Sequence, residues 1–210
     1  MRAMARASRE LFGDDLSWEG VDSSGGLDPI LFRESARQSG VRVGPEDHAS
    51  FRESYISRLR EELATTANGV RRMPGVLELL DALRQRDDVV LGLLTGNYGP
   101  AAELKLDAAG IPSAWFRVTA FGDEADSRPA LVPVALERYR ELDGVALDPS
   151  RIVVIGDTPR DVECARANGC LAFAVATGYH SVDDLSDAGA HRAVDDLSDP
   201  ARLYRFLGFE

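Results

Sequence analysis

The sequence predicts an α/β fold built on a parallel sheet, and three observations support this prediction. Short apolar runs with the length of buried strands occur at residues 89–94, 152–155 and 171–176. Stretches with the period of amphipathic helices separate these runs along the chain. Glycine and polar residues follow the first two runs closely. Strands that alternate with helices in this way form a parallel sheet with helices on both faces.

The chain divides near residue 70 into two regions with different patterns. Residues 1–70 contain helical patterns without a convincing strand: residues 2–12, a helix that starts at Asp28 and Pro29, and a helix that starts at Pro45. We interpret Asp28 as an N-cap, because Asp is favoured there and Pro at the first helical position. Residues 71–210 carry the alternating elements, after a hinge that begins at Asn68. The sequence therefore predicts a helical domain (1–70) and an α/β domain (71–210).

The elements of the second region follow one another in a regular order. Helices are predicted at residues 76–85, 101–109, 131–142, 161–168 and 201–209, with a short strand at 117–121. The runs at 89–94 and 152–155 are apolar without interruption, which indicates strands that are buried on both faces. Ligands of such sheets bind beyond the carboxyl ends of the strands. The polar residues at those ends are therefore the candidates for chemistry.

Composition and charge exclude several classes of partner. The net charge of -11 argues against nucleic acid and anionic membranes as main partners, although a bound divalent cation would still admit a small anionic substrate. No apolar run approaches the ~20 residues of a membrane span. Cys164 and Cys170 are predicted to be reduced thiols, which indicates a cytoplasmic protein. The sequence does not indicate an oligomeric state.

The strongest chemical signal is a pair of carboxylates after the strand at 152–155. Asp157 follows that strand and Gly156, Pro159 begins a helix, and Asp161 falls in the first turn of this helix. Carboxylates that converge in this way suit Mg²⁺, which takes only one or two protein carboxylates. The structural alternative is that Asp161 favours the helix N-terminus and that Asp157 shapes a turn.

Two further candidates are a hydroxyl and a cation. Thr95, Gly96 and Asn97 follow the strand at 89–94, so that the hydroxyl and the following backbone N–H groups can bind a phosphate oxygen. The alternative is a turn that merely ends the strand. Arg128, just before a proline, could neutralise phosphate charge or be a solvated surface residue. Lys105 is a rival cation, which we interpret as a surface residue because it lies within a helix.

These residues together resemble three motifs of the haloacid dehalogenase superfamily. Thr95 corresponds to the second motif, Arg128 before Pro129 to the third, and the segment from Gly156 through Asp157 to Asp161 to the fourth. Residues 74–83 resemble the helix that follows the cap in phosphoglycolate-phosphatase-like members, and residues 1–70 resemble their helical cap. The resemblance implies a Rossmann-like core with a small helical cap.

The resemblance also implies a function. By its resemblance to this superfamily, the protein is expected to be a Mg²⁺-dependent phosphatase that acts on a small phosphorylated metabolite through an aspartyl-phosphate. Asp157 and Asp161 would hold the metal, and Thr95, Gly96, Asn97 and Arg128 would bind the phosphoryl group. The third motif more often carries lysine, which puts the role of Arg128 in question. A mutase or a dehalogenase on the same scaffold is an alternative, although a dehalogenase needs no metal.

The first motif of the superfamily, D-x-D after a strand, does not occur in this sequence. We therefore expect that translation starts some 15–25 residues upstream, roughly a strand and a loop, and that the missing strand lies between those that end at Thr95 and Asp157. Without it, two apolar strand edges would be unpaired. The alternative is that this chain is catalytically impaired, a pseudoenzyme that binds a phosphorylated ligand or a partner.

Overall fold

A computed structural model describes residues 1–65 and 70–209, so that the first two residues of the predicted hinge, Asn68 and Gly69, lie outside the described residues. Contacts divide the chain into two compact units. The first comprises Met1–Arg71, Thr95–Ser113 and Phe121–Asp126, and the second comprises Arg72–Leu94, Ala114–Ala120 and Ser127–Glu210. The first unit thus holds residues 95–113 and 121–126 as well as the region predicted to be helical.

The helices and strands follow one another in an order close to the predicted one. The helices are α1 (Arg2–Phe12), α2 (Asp28–Gln38), α3 (Pro45–Thr65), α4 (Val76–Leu83), α5 (Gly99–Ala108), α6 (Leu131–Asp143), α7 (Pro159–Ala167), α8 (Val182–Asp187) and α9 (Pro200–Leu207). The strands are β1 (Gly92–Leu94), β2 (Val118–Ala120), β3 (Val153–Gly156), β4 (Leu171–Val175) and β5 (Arg192–Val194). Within residues 1–65 and 70–209, none of the helices combines the length and apolar character needed to cross a membrane.

The first unit is held together by an aromatic cluster among α1, α2, α3 and α5. The rings of Phe32 and Phe51 stack with their centroids 4.0 Å apart. Tyr55 and Tyr98 lie beside them in the same buried cluster. Burial of such large side chains is the main favourable contribution to folding, so this cluster explains why the helices pack together.

The second unit contains two parallel sheets. β1 pairs with β2, with Gly92 opposite Val118. The other sheet has the order β3-β4-β5, and all its neighbouring strands are parallel. Parallel neighbours require helical crossovers between the strands, and α7 and α8 supply them.

The side chains of β4 alternate between two cores. Ala172 and Ala174 pack in a cluster with residues of α6, α7 and α8. Phe173 and Val175 pack in a second cluster with residues of α4 and α9. Because successive residues of a strand point to opposite faces, helices cover both faces of this sheet. The predicted α/β fold with helices on both faces of a parallel sheet is confirmed.

The prediction that β1 and β3 are buried on both faces is wrong. β1 has three residues instead of the predicted six, and Val90 before it is 36% exposed. Ile155 in β3 is 40% exposed. Among the described strands, β1 pairs only with β2 and β3 only with β4, so one edge of each strand lacks a neighbour that would cover it. β4, which has neighbours on both sides, is buried as expected.

We predict that Phe32→Ala lowers the free energy of unfolding by about 3–5 kcal/mol. The substitution removes a fully buried ring and leaves a cavity beside Phe51, on which that ring stacks. Urea denaturation followed by circular dichroism measures this change. Leu11→Ala, at a position that is 41% exposed on α1, is the control and should change the stability much less. Equal losses in both variants would contradict the importance of the aromatic cluster.

Candidate functional site

Thr95 lies at the start of a loop in the first unit whose hydrogen bonds converge on its hydroxyl oxygen. The backbone N–H of Asn97 donates to Thr95 Oγ1 at 3.2 Å, and the side-chain Nδ2 of Asn97 donates to the same atom at 2.7 Å. Gly96 gives this turn its close approach to another segment, because a Cβ there would lie 2.0 Å from the carbonyl oxygen of Gly26. Hydrogen bonds to the Thr95 hydroxyl and close backbone packing at Gly96 therefore both fix the conformation of this loop.

Asp28 clamps this loop from the start of α2. Its backbone N–H donates to the carbonyl of Gly96 at 2.7 Å, and its Oδ2 accepts from the backbone N–H of Tyr98 at 2.9 Å. The prediction that Asp28 is an N-cap is wrong: Leu27 occupies that position, and the helix has no side-chain cap. The carboxylate is only 5% exposed because it binds the neighbouring loop instead of its own helix.

Lys105 also binds this loop, which corrects its interpretation as a surface residue. It lies on α5, is partly buried, and its Nζ donates to Oδ1 of Asn97. Burial lowers the pKa of Lys105, while the negative charge of Asp28 acts in the opposite direction. One signal in the sequence could have drawn attention to it: Lys105 is the only lysine among 24 basic residues.

The first unit also contains a cavity of about 330 Å³. Its lining residues are Pro29, Arg33, His48, Gly122, Asp123, Glu124, Ala125 and Asp126. Nε2 of His48 lies 2.6 Å from the hydroxyl of Tyr98. Burial lowers the pKa of His48, and the charges of Arg33 and Arg52 lower it further. This cavity therefore presents both cationic and acidic groups to a ligand.

In the second unit, the turn from β3 to α7 is organised by a capping box. Oγ1 of Thr158 accepts from the backbone N–H of Asp161 at 3.2 Å. Oδ2 of Asp161 accepts from the backbone N–H and the hydroxyl of Thr158, at 3.0 and 2.7 Å. The structural alternative for Asp161 is thus present in the structure, since this residue satisfies N–H groups at the helix N-terminus.

Arg128 binds the remaining oxygen of Asp161, since its Nη2 donates to Oδ1 in an ion pair with little exposure to solvent. The Arg128 loop is attached to α7 at two more points. The Cys164 thiol donates to the carbonyl of Arg128 at 3.3 Å, and Nδ2 of Asn168 donates to the carbonyl of Pro129 at 2.9 Å. The structure therefore brings Arg128 and Asp161 together at the first turn of α7.

Asp157 lies at the end of β3 beside a cavity of about 280 Å³. Ile155, Gly156 and Thr177 are among the other residues that line this cavity. The carboxylate packs against Gly178, where a Cβ would lie 2.4 Å from Oδ2 of Asp157. Burial raises the pKa of Asp157, and the negative charge of Asp161 raises it further. Both effects disfavour the charged carboxylate, while the positive charges of Arg128 and His180 act in the opposite direction.

The described residues contain no group of three or more His, Cys, Asp or Glu side chains that could hold a metal ion. Such a group is not needed for Mg²⁺, which usually keeps several waters and binds through one or two carboxylates. Asp157 suits this role by its chemistry and by its position beside a cavity. Asp161 suits it less well as a direct ligand, because Arg128 and Thr158 already use both its oxygens.

The predicted site residues thus fall into two groups. Thr95, Gly96 and Asn97 form one loop in the first unit. Arg128 and Asp161 form an ion pair in the second unit, and Asp157 lies close enough to Asp161 for its charge to raise the pKa of Asp157. The predicted roles of these residues in metal and phosphoryl binding stay predictions.

The sequence profile of the haloacid dehalogenase-like hydrolase family matches residues 5–166. The chain belongs to this family. A phosphoglycolate phosphatase from Synechococcus elongatus is 31% identical over 168 residues, which are 76% of this chain and 74% of the relative. The resemblance read from the motifs is therefore confirmed, and so is the prediction that the protein is an enzyme of the hydrolase class.

Two further proteins to which the chain is similar carry the names of other phosphorylated compounds. An N-acetylmuramic acid 6-phosphate phosphatase from Pseudomonas aeruginosa is 28% identical over 158 residues, 74% of this chain and 66% of the relative. The crystal structure of CbbY from Rhodobacter sphaeroides, in complex with xylulose-(1,5)bisphosphate, matches with a TM-score of 0.72 and 21% identity, covering 94% of this chain and 88% of that one. The chain spans 52% of the length of one further phosphoglycolate phosphatase and 80% of another.

We predict that stability in the acid range depends on Asp28, whose pKa burial raises to about 6 from 3.8. The folded state binds this proton more tightly than the unfolded state, so the stabilisation is complete below 3.8 and is lost as the pH rises through about 6. Relative to Asp28→Asn, the wild type should lose about 3 kcal/mol of unfolding free energy over this range. Urea titrations at several pH values measure the difference, and a difference independent of pH would contradict the prediction.

Proposed function

We propose that the protein is a Mg²⁺-dependent phosphatase that hydrolyses a small phosphorylated metabolite. The observation that carries this proposal is the geometry of the β3–α7 turn in a chain of the haloacid dehalogenase-like hydrolase family. In this turn Asp157 lines a cavity, while Arg128 and Thr158 bind Asp161. The named relatives that are phosphatases support the same class of reaction. A small molecule fits the cavities of about 280 and 330 Å³ in the two units.

Asp157 is the proposed direct ligand of the metal. Its carboxylate is half-buried and close to the charge of Asp161, and both features raise its pKa. A divalent cation would relieve this unfavourable charge, which is why these residues fit Mg²⁺. We assign Asp161 to the site as a supporting residue, since Arg128 and Thr158 occupy its oxygens. When bound, Mg²⁺ would reduce the repulsion between carboxylates and phosphate.

The phosphoryl group would be held by Thr95, Gly96, Asn97 and Arg128. A hydroxyl, backbone N–H groups and a guanidinium are the donors that phosphate oxygens accept. Arg128 is bound to Asp161 through Nη2, so we propose that it contributes charge while it also orients the β3–α7 turn. A guanidinium has five N–H donors, which allows one group to serve both partners.

The attacking group in this proposal is an aspartate that lies outside the 210 residues, on a strand between β1 and β3. Two observations support this placement. Among the described strands, each of β1 and β3 has a partner on one side only. Leu94 of β1 and Val154 of β3 nevertheless pack against the same hydrophobic cluster, and Ile155 is 40% exposed. A strand in this position would pair both edges and cover Ile155.

The proposed reaction has two displacements at phosphorus. A carboxylate oxygen of the attacking aspartate forms a bond to phosphorus and the bond to the ester oxygen breaks. The leaving oxygen takes a proton from the second aspartate of the first motif, which recovers a proton from the attacking water in the next step. Water then attacks the aspartyl-phosphate, which releases inorganic phosphate and restores the carboxylate. The donors from Thr95, Asn97 and Arg128 would stabilise the charge on the phosphoryl oxygens in both steps.

The residues of the first unit are the proposed determinants of the leaving group. Its cavity presents Arg33 and His48 together with the carboxylates of Asp123 and Asp126, which is a polar and mixed-charge lining. Such a lining suits a leaving group that carries hydroxyl or carboxylate groups. The relatives named for phosphoglycolate and for N-acetylmuramic acid 6-phosphate have substrates of this kind.

A cytoplasmic location is also part of the proposal. Cys164 and Cys170 are free and buried, and burial raises the pKa of both thiols, to about 11 for Cys164. Reduced thiols of this kind are the usual state in a reducing compartment.

A second candidate function is binding of a phosphorylated ligand without catalysis. The observation that favours it is the absence of a D-x-D sequence from the 210 residues. The residues proposed to bind phosphate and metal are all present, so binding would persist where hydrolysis does not. The two candidates are separated by measuring turnover and phosphate binding on the same protein.

We predict that hydrolysis of p-nitrophenyl phosphate with Mg²⁺ is strong in a chain extended by the upstream codons and weak in the 210-residue chain, because only the extended chain would supply the attacking aspartate. Release of p-nitrophenolate measures the rate. Equal activity in both chains would contradict the proposed position of the nucleophile. Inactivity of both chains, with phosphate binding retained, would favour the second candidate function.

In the extended chain, we predict that Asp157→Asn lowers the Mg²⁺-dependent rate by at least about a hundredfold, because it removes the charge that binds the cation. Asp187→Asn, at an exposed position on α8, is the matched control and should keep the wild-type rate. The rate is measured across a Mg²⁺ titration at fixed substrate. A wild-type rate in Asp157→Asn would contradict its assignment as the metal ligand.

A further inference from the structure

We propose that Lys105 is a positioning residue, which fixes the side-chain amide of Asn97 and thereby leaves the hydroxyl of Thr95 as a donor to a bound phosphoryl oxygen. The inference rests on the proposed function for the identity of that acceptor. It assigns a role to a residue that contacts the phosphate-binding loop without belonging to it.

The first step is the orientation of the Asn97 amide. The ammonium of Lys105 has three N–H donors and no acceptor, so the atom of Asn97 that faces it is the carbonyl oxygen Oδ1. The other end of the amide, Nδ2, then points toward Thr95 and donates to Oγ1 at 2.7 Å. Without Lys105, the amide could turn over and present its oxygen to Thr95 instead.

The second step is the hydrogen-bond capacity of the Thr95 hydroxyl. This group has two acceptor sites and one O–H donor. Both acceptor sites are used, one by Nδ2 of Asn97 at 2.7 Å and one by the backbone N–H of Asn97 at 3.2 Å. The proton of Thr95 must therefore be directed to a different acceptor, and a phosphoryl oxygen is such an acceptor.

The third step is the placement of the ammonium itself. Lys105 is held on α5, eight residues after Asn97, and the buried charge of Asp28 acts on it favourably. Asp28 also binds the backbone N–H of Tyr98, so the same carboxylate holds the backbone of the loop. The other basic residues of this chain are all arginine, which makes the compact ammonium at this position a compositional exception.

The test uses inorganic phosphate as the probe, with Mg²⁺ present, and isothermal titration calorimetry as the measurement. Lys105→Met removes the donor at similar length, and we expect the affinity for phosphate to fall about tenfold. Lys105→Arg keeps a side chain that only donates, so its affinity should stay within about threefold of the wild type. Leu106→Met on the same helix is the control for packing and should bind phosphate with the wild-type affinity.

A double-mutant cycle with Thr95→Val separates positioning from direct contact. If Lys105 acts through the Thr95 hydroxyl, Lys105→Met has no further effect on phosphate affinity once that hydroxyl is removed. A full tenfold loss in the Thr95→Val background would show that the ammonium contacts phosphate itself, and would overturn the inference. An unchanged affinity in Lys105→Met alone would overturn it as well.

Nuclear magnetic resonance distinguishes failure of this inference from failure of the proposed function. Because Lys105 is the only lysine, protein with isotope-labelled lysine gives one lysine ammonium resonance. Isotope-labelled asparagine gives three side-chain amides, those of Asn68, Asn97 and Asn168, and the Asn97 amide is assigned as the one that is missing in Asn97→Asp. The Asn97 amide resonances should be protected from exchange in the wild type and in Lys105→Arg, and lose this protection in Lys105→Met. If phosphate fails to bind the wild type, the proposed function fails, and unchanged Asn97 protection in Lys105→Met would overturn the inference separately.

Discussion

The alternation of side chains along β4 is the constraint on which the second unit depends. Ala172 and Ala174 face one helical layer while Phe173 and Val175 face the other, so neither face is left for solvent. A strand that is buried on both faces cannot carry the polar groups that chemistry requires. These groups are therefore confined to the turns beyond the strands, and Asp157 lies in one of them. The position of the candidate site follows from the packing of the sheet.

Much of this architecture could be predicted from the sequence, because the signals are local. Helix α1 ends at Phe12, before Gly13, and α3 begins at Pro45, as the sequence indicated. β5 and α8 were not predicted, since β5 consists of Arg, Ala and Val and α8 has only two apolar residues among six, so that neither shows a clear apolar pattern. The apolar runs of β1 and β3 alone indicated full burial, whereas their exposure depends on which strands lie beside them, and their edges that are unpaired among the described strands agree with the absence of the first motif.

The candidate site could also be predicted from the sequence only where its signals are local. The spacing from Gly156 to Asp161 was sufficient to predict a carboxylate pair, because a strand and a helix start fix the local geometry. The partners of that pair were not predictable, since Arg128 is far from Asp161 in sequence and reaches it only in the fold. Asp28 was assigned to its own helix for the same reason: local preference favoured a cap, and a contact with Tyr98 took its place. Long-range contacts decided both outcomes.

The composition of the basic residues has a practical consequence. A chain with Lys105 as its sole lysine offers amine-directed reagents only two targets, that side chain and the α-amino group. Immobilisation or dye conjugation by the usual succinimidyl esters would therefore modify either the chain terminus or the loop beside Asn97. Surface-binding measurements on this protein are better made through an engineered thiol or a terminal tag.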